Sequence, residues 1–166
     1  SAIAFEGIAS SAFADGPSVR SGVYVVRPDG SDLRRLTTRP ATGHAALGLS
    51  WSSDSRSVAY VGLPDGQRLP TISTPDALAT DPPLDVFVIG ADGTGERNVT
   101  ASNAFESSPT WSPTGSSLAF LRSDDGEAYR LIIGTIDGSS GSGPLREGPA
   151  ARAFAWSPDL KTLLIV

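Results

Sequence analysis

Three Trp-Ser pairs recur along the chain, each followed by a polar turn and then a short apolar run. The fullest copy spans Ser107 to Phe120 and reads Ser-Ser-Pro-Thr-Trp-Ser-Pro-Thr-Gly-Ser-Ser-Leu-Ala-Phe. A weaker copy runs from Gly48 through Trp51-Ser52 to Val58-Ala59-Tyr60. Another runs from Ala153 through Trp156-Ser157-Pro158-Asp159 to Ile165. Such a repeat constrains the fold more than composition does. Each copy must be one supersecondary unit that buries its apolar face against the next.

Aligning the copies exposes the unit. Ile3-Ala4-Phe5, Val58-Ala59-Tyr60, Leu118-Ala119-Phe120 and Leu163-Leu164-Ile165 take one place in it, 55, 60 and 45 residues apart. A second family, Val23 to Val26, Val86 to Ile89 and Leu131 to Ile133, leads to Asp29-Gly30, Asp92-Gly93 and Asp137-Gly138. Asp-Gly between strands favours a two-residue hairpin, because both central positions tolerate positive φ. Asp15, Asp65 and Asp125, each followed by glycine, read as the preceding turn in longer loops. Leu33 to Thr37 and Glu96 to Thr100 follow as fourth strands.

Four antiparallel strands per roughly 40–45 residues describe a β-propeller blade. The chain is therefore expected to be all-β, a single propeller segment over 1–166. Its units fall near 1–50, 51–110 and 111–155, with a further unit starting at 156–166. That amounts to three units plus one strand, an incomplete propeller. The nearly continuous apolar third strand fits a blade buried on both faces; a solvent-backed sheet would alternate. Residues 6–22 and 62–84 read as insertions, and the prolines of the second exclude a central strand. The Gly/Ser-rich stretch from Gly134 to Gly143 is expected to form a fourth-strand edge. Closure takes roughly 4–8 blades. The two open apolar faces are thus expected to be covered by further blades of a longer chain or by self-association. A chain starting at Ser1 rather than Met is read as an excerpt.

Composition removes several function classes. The 18 glycines and 13 prolines belong to a chain that turns often. A net charge of −5 without a basic stripe argues against nucleic acid. With no cysteine there is no disulfide, thiolate nucleophile or cysteine metal site. No apolar run approaches the roughly 20 residues of a membrane span. His44 is the sole histidine, and no Gly-x-Ser-x-Gly elbow exists; Gly48-Leu49-Ser50-Trp51-Ser52 fails at its last position. Neither Asp29 to Asp32 nor Asp124 to Glu127 matches a twelve-residue calcium loop. Gly93 to Asn98 lacks the third glycine and the helix of a dinucleotide loop. No catalytic residue, metal or cofactor is expected. Asn98-Val99-Thr100 is a glycosylation sequon by sequence.

Trp51, Trp111 and Trp156 are read as core, filling the wedge between blades. Burying about 150–250 Å² each gives at most about 4–6 kcal/mol. The serine and aspartate of the motif are expected to bond N–H groups two residues on and fix the turn. The candidate interaction surface is the set of loops leading into each Trp-Ser strand, around the channel mouth. These are Arg39 to Leu47, Ala101 to Ser108 and Arg146 to Arg152. They carry Arg39, His44, Asn103, Glu106, Arg146, Glu147 and Arg152. Mixed charge beside exposed backbone suits a protein or peptide partner.

The unit resembles the WD-like propeller repeat of the TolB family, Trp-Ser-Pro-Asp-Gly followed by Ile-Ala-Phe. Pro109 to Phe120 is the best copy, Trp156-Ser157-Pro158-Asp159 matches the first part, and Trp51-Ser52 departs with Ser53 in place of proline. Val23 to Gly30 looks like the family's third strand and turn. The resemblance implies three settings. One is a non-catalytic docking platform of the bacterial Tol–Pal envelope system. Another is the substrate-gating propeller of prolyl-oligopeptidase-type serine peptidases, here without a hydrolase domain. The third is a set of secreted or surface-anchored bacterial propellers. The first implies a periplasmic or extracellular protein-binding segment and is the reading preferred here. A carbohydrate-active propeller would need clustered exposed aromatics or a histidine set.

Overall fold

A computed structural model describes residues 2–9, 20–37, 48–65, 83–136, 146–157, 159 and 162–166. The described residues form strands, turns and loops, with no helix. β1 (Ile3–Ala9), β2 (Arg20–Val26) and β3 (Arg34–Arg35) make a three-stranded sheet. β4 (Leu49–Trp51), β5 (Ser57–Gly62), β6 (Asp85–Gly90) and β7 (Arg97–Asn98) make a four-stranded one. So do β8 (Phe105–Trp111), β9 (Ser117–Ser123), β10 (Arg130–Thr135) and β11 (Arg146–Ala150). β12 (Phe154–Trp156) pairs with β13 (Leu163–Ile165). Every sheet is an antiparallel meander in chain order. The sheets are successive blades of an incomplete β-propeller, numbered 1 to 4 below. Blade 1 begins at the second strand of the unit, and blade 4 ends there.

Register explains the stacking. Along a strand, alternate side chains leave on opposite faces. In blade 2, Val58, Tyr60, Phe87 and Ile89 pack back onto Val23, Val25 and Leu36 of blade 1. The intervening Ala59, Val86 and Val88 pack forward, with Val99, onto Leu118, Phe120 and Ile132 of blade 3. Ala119, Leu121 and Leu131 repeat this forward contact toward Phe154, Leu163 and Ile165 of blade 4. Alanine at the centre of each forward face leaves room for the aromatic or branched side chain behind it. Val86, Phe87, Val88 and Ile89 are each at most 2% exposed, so β6 is buried on both faces as its apolar run requires. Full burial of a side chain such as Phe120 contributes about 1.5–3 kcal/mol.

The tryptophans lie at these boundaries. Trp111 belongs to the cluster between blades 2 and 3; Trp51 and Trp156 pack against the clusters on either side. The serine that follows each one closes its hairpin. Ser52, Ser112 and Ser157 accept, at the side-chain oxygen, the N–H of the residue five positions on, at 2.9, 3.0 and 3.0 Å. The hydroxyl therefore spans the whole turn, a longer reach than the two residues expected. At the turns between third and fourth strands, Asp29 accepts from the Ser31 N–H at 2.9 Å, and Asp92 from the Thr94 N–H at 2.9 Å. Positive φ falls on Gly30 at 83° and Gly93 at 88°, and again two residues on at Asp32 (55°) and Gly95 (65°), but not on Asp29 or Asp92. The Arg27 N–H reaches the Ser31 carbonyl at 2.9 Å, so the loop is longer than the expected two-residue turn.

Two further boundaries differ from expectation. Residues 6–9 and 20–22 are strand rather than insertion, because β1 and β2 stay in register out to Ala9↔Arg20. The fourth strand of blade 3 is Arg146–Ala150, beyond the Gly/Ser-rich stretch. Residues 137–145, 10–19 (with Asp15) and 66–82 lie outside the described residues.

Candidate loop-edge site

An antiparallel meander divides its connections between two edges. The links from first to second and from third to fourth strand leave one edge of each blade. The links from second to third strand, and from one blade to the next, leave the other. The first edge is repetitive: the Ser52, Ser112 and Ser157 turns share one bonding pattern, as do the Asp29 and Asp92 turns. The second edge differs in the length of its second-to-third-strand links, 10–19, 63–84 and 124–129, although the Thr37 and Thr100 hydroxyls accept the Val23 and Val86 N–H groups alike. Its described parts are Leu36-Thr37, Gly48, Leu63 to Asp65, Pro83-Leu84, Val99 to Ala104, Asp124 to Tyr129 and Ala151 to Ala153.

The sequence-predicted residues separate on this frame. Asn103 and Arg152 are exposed in inter-blade loops of the variable edge. Arg39 and His44 lie outside the described residues. Arg146 and Glu147 sit on β11 rather than in a loop, and Arg146 pairs with Ile133 toward the repetitive edge. Glu106 is a correction. It lies on β8, 1% exposed, because the expected loop gives way to strand at Phe105. The Glu106 N–H donates to the Leu84 carbonyl at 3.1 Å, tying the start of blade 3 to blade 2.

Glu106 is the hub of a buried polar network instead of a contact surface. One carboxylate oxygen accepts from the Val86 N–H at 3.1 Å. The other accepts from the Ser102 hydroxyl at 2.9 Å and from Arg122 Nε and Nη2 at 3.0 and 2.7 Å. Burial pushes the Glu106 carboxyl above its ordinary range, against bonds from Thr100, Arg122 and Ser102 that favour the charge. Beside it, buried Asp85 accepts from Asn98 Nδ2 at 2.6 Å and from the Ser102 N–H at 3.0 Å. Asn98 Oδ1 in turn accepts the N–H groups of Thr100 and Ala101 at 3.1 and 2.9 Å. The inter-blade loop is thus held from below by two buried acids, with Asn103 at its exposed side. The amide of the sequon is engaged in this network.

Sequence reasoning missed a neighbouring feature. Across blade 3, Glu106 faces Arg122 and Arg122 faces Arg130 in strict register. Arg130 is ion-paired to Glu147 on β11. The register row reads acid, base, base, and the acid that pairs with Arg130 comes from across a β-bulge, where Glu147 itself faces Ile132. A cavity of about 100 Å³ opens beside it, lined by Arg122, Ser123, Asp124, Asp125, Arg130 and Glu147 among others. Asp125 fixes the local turn: the Ser123 hydroxyl and the N–H groups of Glu127 and Ala128 donate to it at 2.8, 2.9 and 3.1 Å. Those bonds, the two backbone ones foremost, bring its pKa down to about 2. The available signal was the repeat itself. The positions of Arg122 and Arg130 are Gly7 and Gly22 in blade 1, and Gly62 and Asp85 in blade 2. Among the described residues no group of three or more histidine or acidic side chains could hold a metal ion.

The fold defines the chain as a β-propeller segment. Solved structures similar to it include a protein assigned as TolB from Agrobacterium tumefaciens, at TM-score 0.55 and 19% identity, covering 87% of this chain and 41% of that one. TolB from Acinetobacter baumannii aligns at TM-score 0.63 and 12% identity, covering 96% of this chain and 34% of that one. Prolyl oligopeptidase B from Galerina marginata, bound to a 35mer hydrolysis and macrocyclization substrate, aligns at TM-score 0.52 and 16% identity, covering 93% and 22%. The chain spans well under half the length of each. No family model and no curated protein matches the sequence.

Proposed function

We propose that the chain is a non-catalytic propeller segment that presents its variable loop edge to a protein or peptide partner outside the cytoplasm. The observation that carries this reading is the inequality of the two edges. One repeats the same side-chain-closed turns from blade to blade, as a scaffold needs. The other varies and holds a rigidly supported, exposed loop at Asn103. Binding residues concentrate on loops that a rigid scaffold positions. The TolB resemblance supports a platform role and a bacterial envelope setting.

A second reading, the gating propeller of a serine peptidase, draws on the likeness to prolyl oligopeptidase B. It requires a hydrolase domain elsewhere in the same polypeptide, and the parent gene distinguishes the two. The platform reading is tested by placing a photo-crosslinking amino acid at Asn103 or Arg152, with Thr94 and Ser116 on the repetitive edge as controls. Irradiation in extract of the source cells is expected to give one discrete adduct, identified by mass spectrometry, from the first pair alone. Equal adducts from both edges, or none from Asn103 and Arg152, would overturn the proposal.

A further inference from the structure

We propose that the cavity between Arg122 and Arg130 binds a single carboxylate of a peptide ligand. The inference rests on the peptide-platform reading for the nature of the ligand, and on the charge row for its chemistry. Like charges directly opposite on neighbouring strands destabilise a sheet. Neither blade 1 nor blade 2 places two cations at this register. Buried Glu106 accounts for Arg122, whereas Arg130 opposite it has only an exposed ion-pair partner and answers no buried acid.

The two guanidinium groups are unequal. Arg122 is preorganised: Glu106 holds Nε and Nη2, and the guanidinium carbon lies 5.6 Å from the Phe120 ring centroid. Its Nη1 makes no hydrogen bond to the described residues, and Arg122 lines the cavity. Arg130 hydrogen-bonds Glu147 and lies in the field of Asp124 and Asp125, and both side chains of the pair are more than half exposed, at 61% and 56%. An exposed pair of this kind exchanges cheaply, being worth about 0–1 kcal/mol. A carboxylate entering the cavity takes Arg130 from Glu147 and bridges it to Arg122, cancelling the repulsion between them. A fixed donor also binds with less loss of side-chain freedom. Asp124, Asp125 and Glu147 on the cavity wall oppose a dianion more than a monoanion, so a carboxylate fits and a phosphate does not.

The test is a titration of the isotope-labelled chain followed by amide chemical shifts. The probes are acetyl-Ala-Ala-Glu-amide, acetyl-Ala-Ala-Ala with a free C-terminus, acetyl-Ala-Ala-Ala-amide and inorganic phosphate. The carboxylate peptides are expected to shift Arg122, Ser123, Ala128 and Arg130, more at low salt than at high. The first two probes separate a side-chain carboxylate from a terminal one; a response to either supports the proposal. Arg130→Gln, outside the Glu106 network and exposed, is expected to weaken the response about tenfold. No shift with either carboxylate, an equal shift with the neutral amide, tighter binding of phosphate, or an unchanged affinity in Arg130→Gln would each overturn it. Crosslinking at Asn103 needs no carboxylate, so its outcome separates failure of this site from failure of the platform reading.

Discussion

Ser50 and Trp111 join blades 2 and 3: the backbone N–H of Trp111 donates to the Ser50 hydroxyl at 2.9 Å, across 61 residues of sequence. The indole of Trp156 makes the related connection one blade on, reaching the Thr110 carbonyl at 3.5 Å. The inner strands are thus bonded to each other as well as packed. Ser50→Ala is expected to cost about 1 kcal/mol, read as a lower midpoint in urea. Trp111→Ala opens a cavity between blades and is expected to cost about 3–5 kcal/mol or to abolish folding. A melting temperature within a degree or two of wild type would contradict the wedge role.

The turn after each tryptophan yields a second pair of substitutions. Gly115 has φ 75°, and Ser55 holds the same place in blade 2 with φ 59°. A left-handed conformation costs a side-chain-bearing residue about 1–2 kcal/mol, part of which glycine's freedom in the unfolded chain offsets. Ser55→Gly is therefore expected to stabilise the chain by about 0.5 kcal/mol. Gly115→Ala is expected to destabilise it by more, since the new Cβ would lie 2.6 Å from Ser53 Oγ. Thermal unfolding of the two variants should move in opposite directions.

Glu106 gives the protein a dependence on pH of unusual sign. Its folded pKa is raised by burial, so above the ordinary carboxylate range the folded chain keeps a proton that the unfolded chain loses. The group's contribution to stability therefore falls as pH rises through that window. Asp29, Asp54, Asp92 and Asp125 run the other way. Their pKa values are lowered by turn hydrogen bonds, Asp125 to about 2. They contribute above the ordinary value of 3.8 and lose that contribution as pH falls. Glu106→Gln keeps an acceptor for the Val86 N–H but removes the titration. It is expected to flatten the decline of stability from weakly acidic to neutral pH. Denaturant unfolding of wild type and variant at several pH values reads the difference; parallel curves would show that Glu106 does not titrate in this window.

The blade order was legible because its signals are local. Trp-Ser, Ala-Phe and Asp-Gly each report one strand end or turn, and a repeated signal corrects its own errors. The site was legible only in part. Asn103 and Arg152 could be placed by phase within the unit. Glu106 could not, because the residue types around it read as a polar loop. What buries it is the parallel contact between Leu84 and Phe105, which joins two blades and leaves no mark in a single repeat. Arg122 and Arg130 lie eight positions apart in the chain and become neighbours only through the hairpin register. Comparing the blades position by position would have singled them out against Gly7, Gly22 and Gly62.

Consecutive sheets stack face to face, forward alanine against the following aromatic. Nuclear Overhauser spectra of the methyl- and aromatic-labelled chain report this stacking. Cross-peaks are predicted from the Phe120 ring and Leu118 methyls to Ala59 and Val88, and from Tyr60 to Val23 and Val25. Their absence, with the within-sheet contacts of Phe120 and Ile132 intact, would show that the sheets fold but do not stack, and would contradict the propeller account.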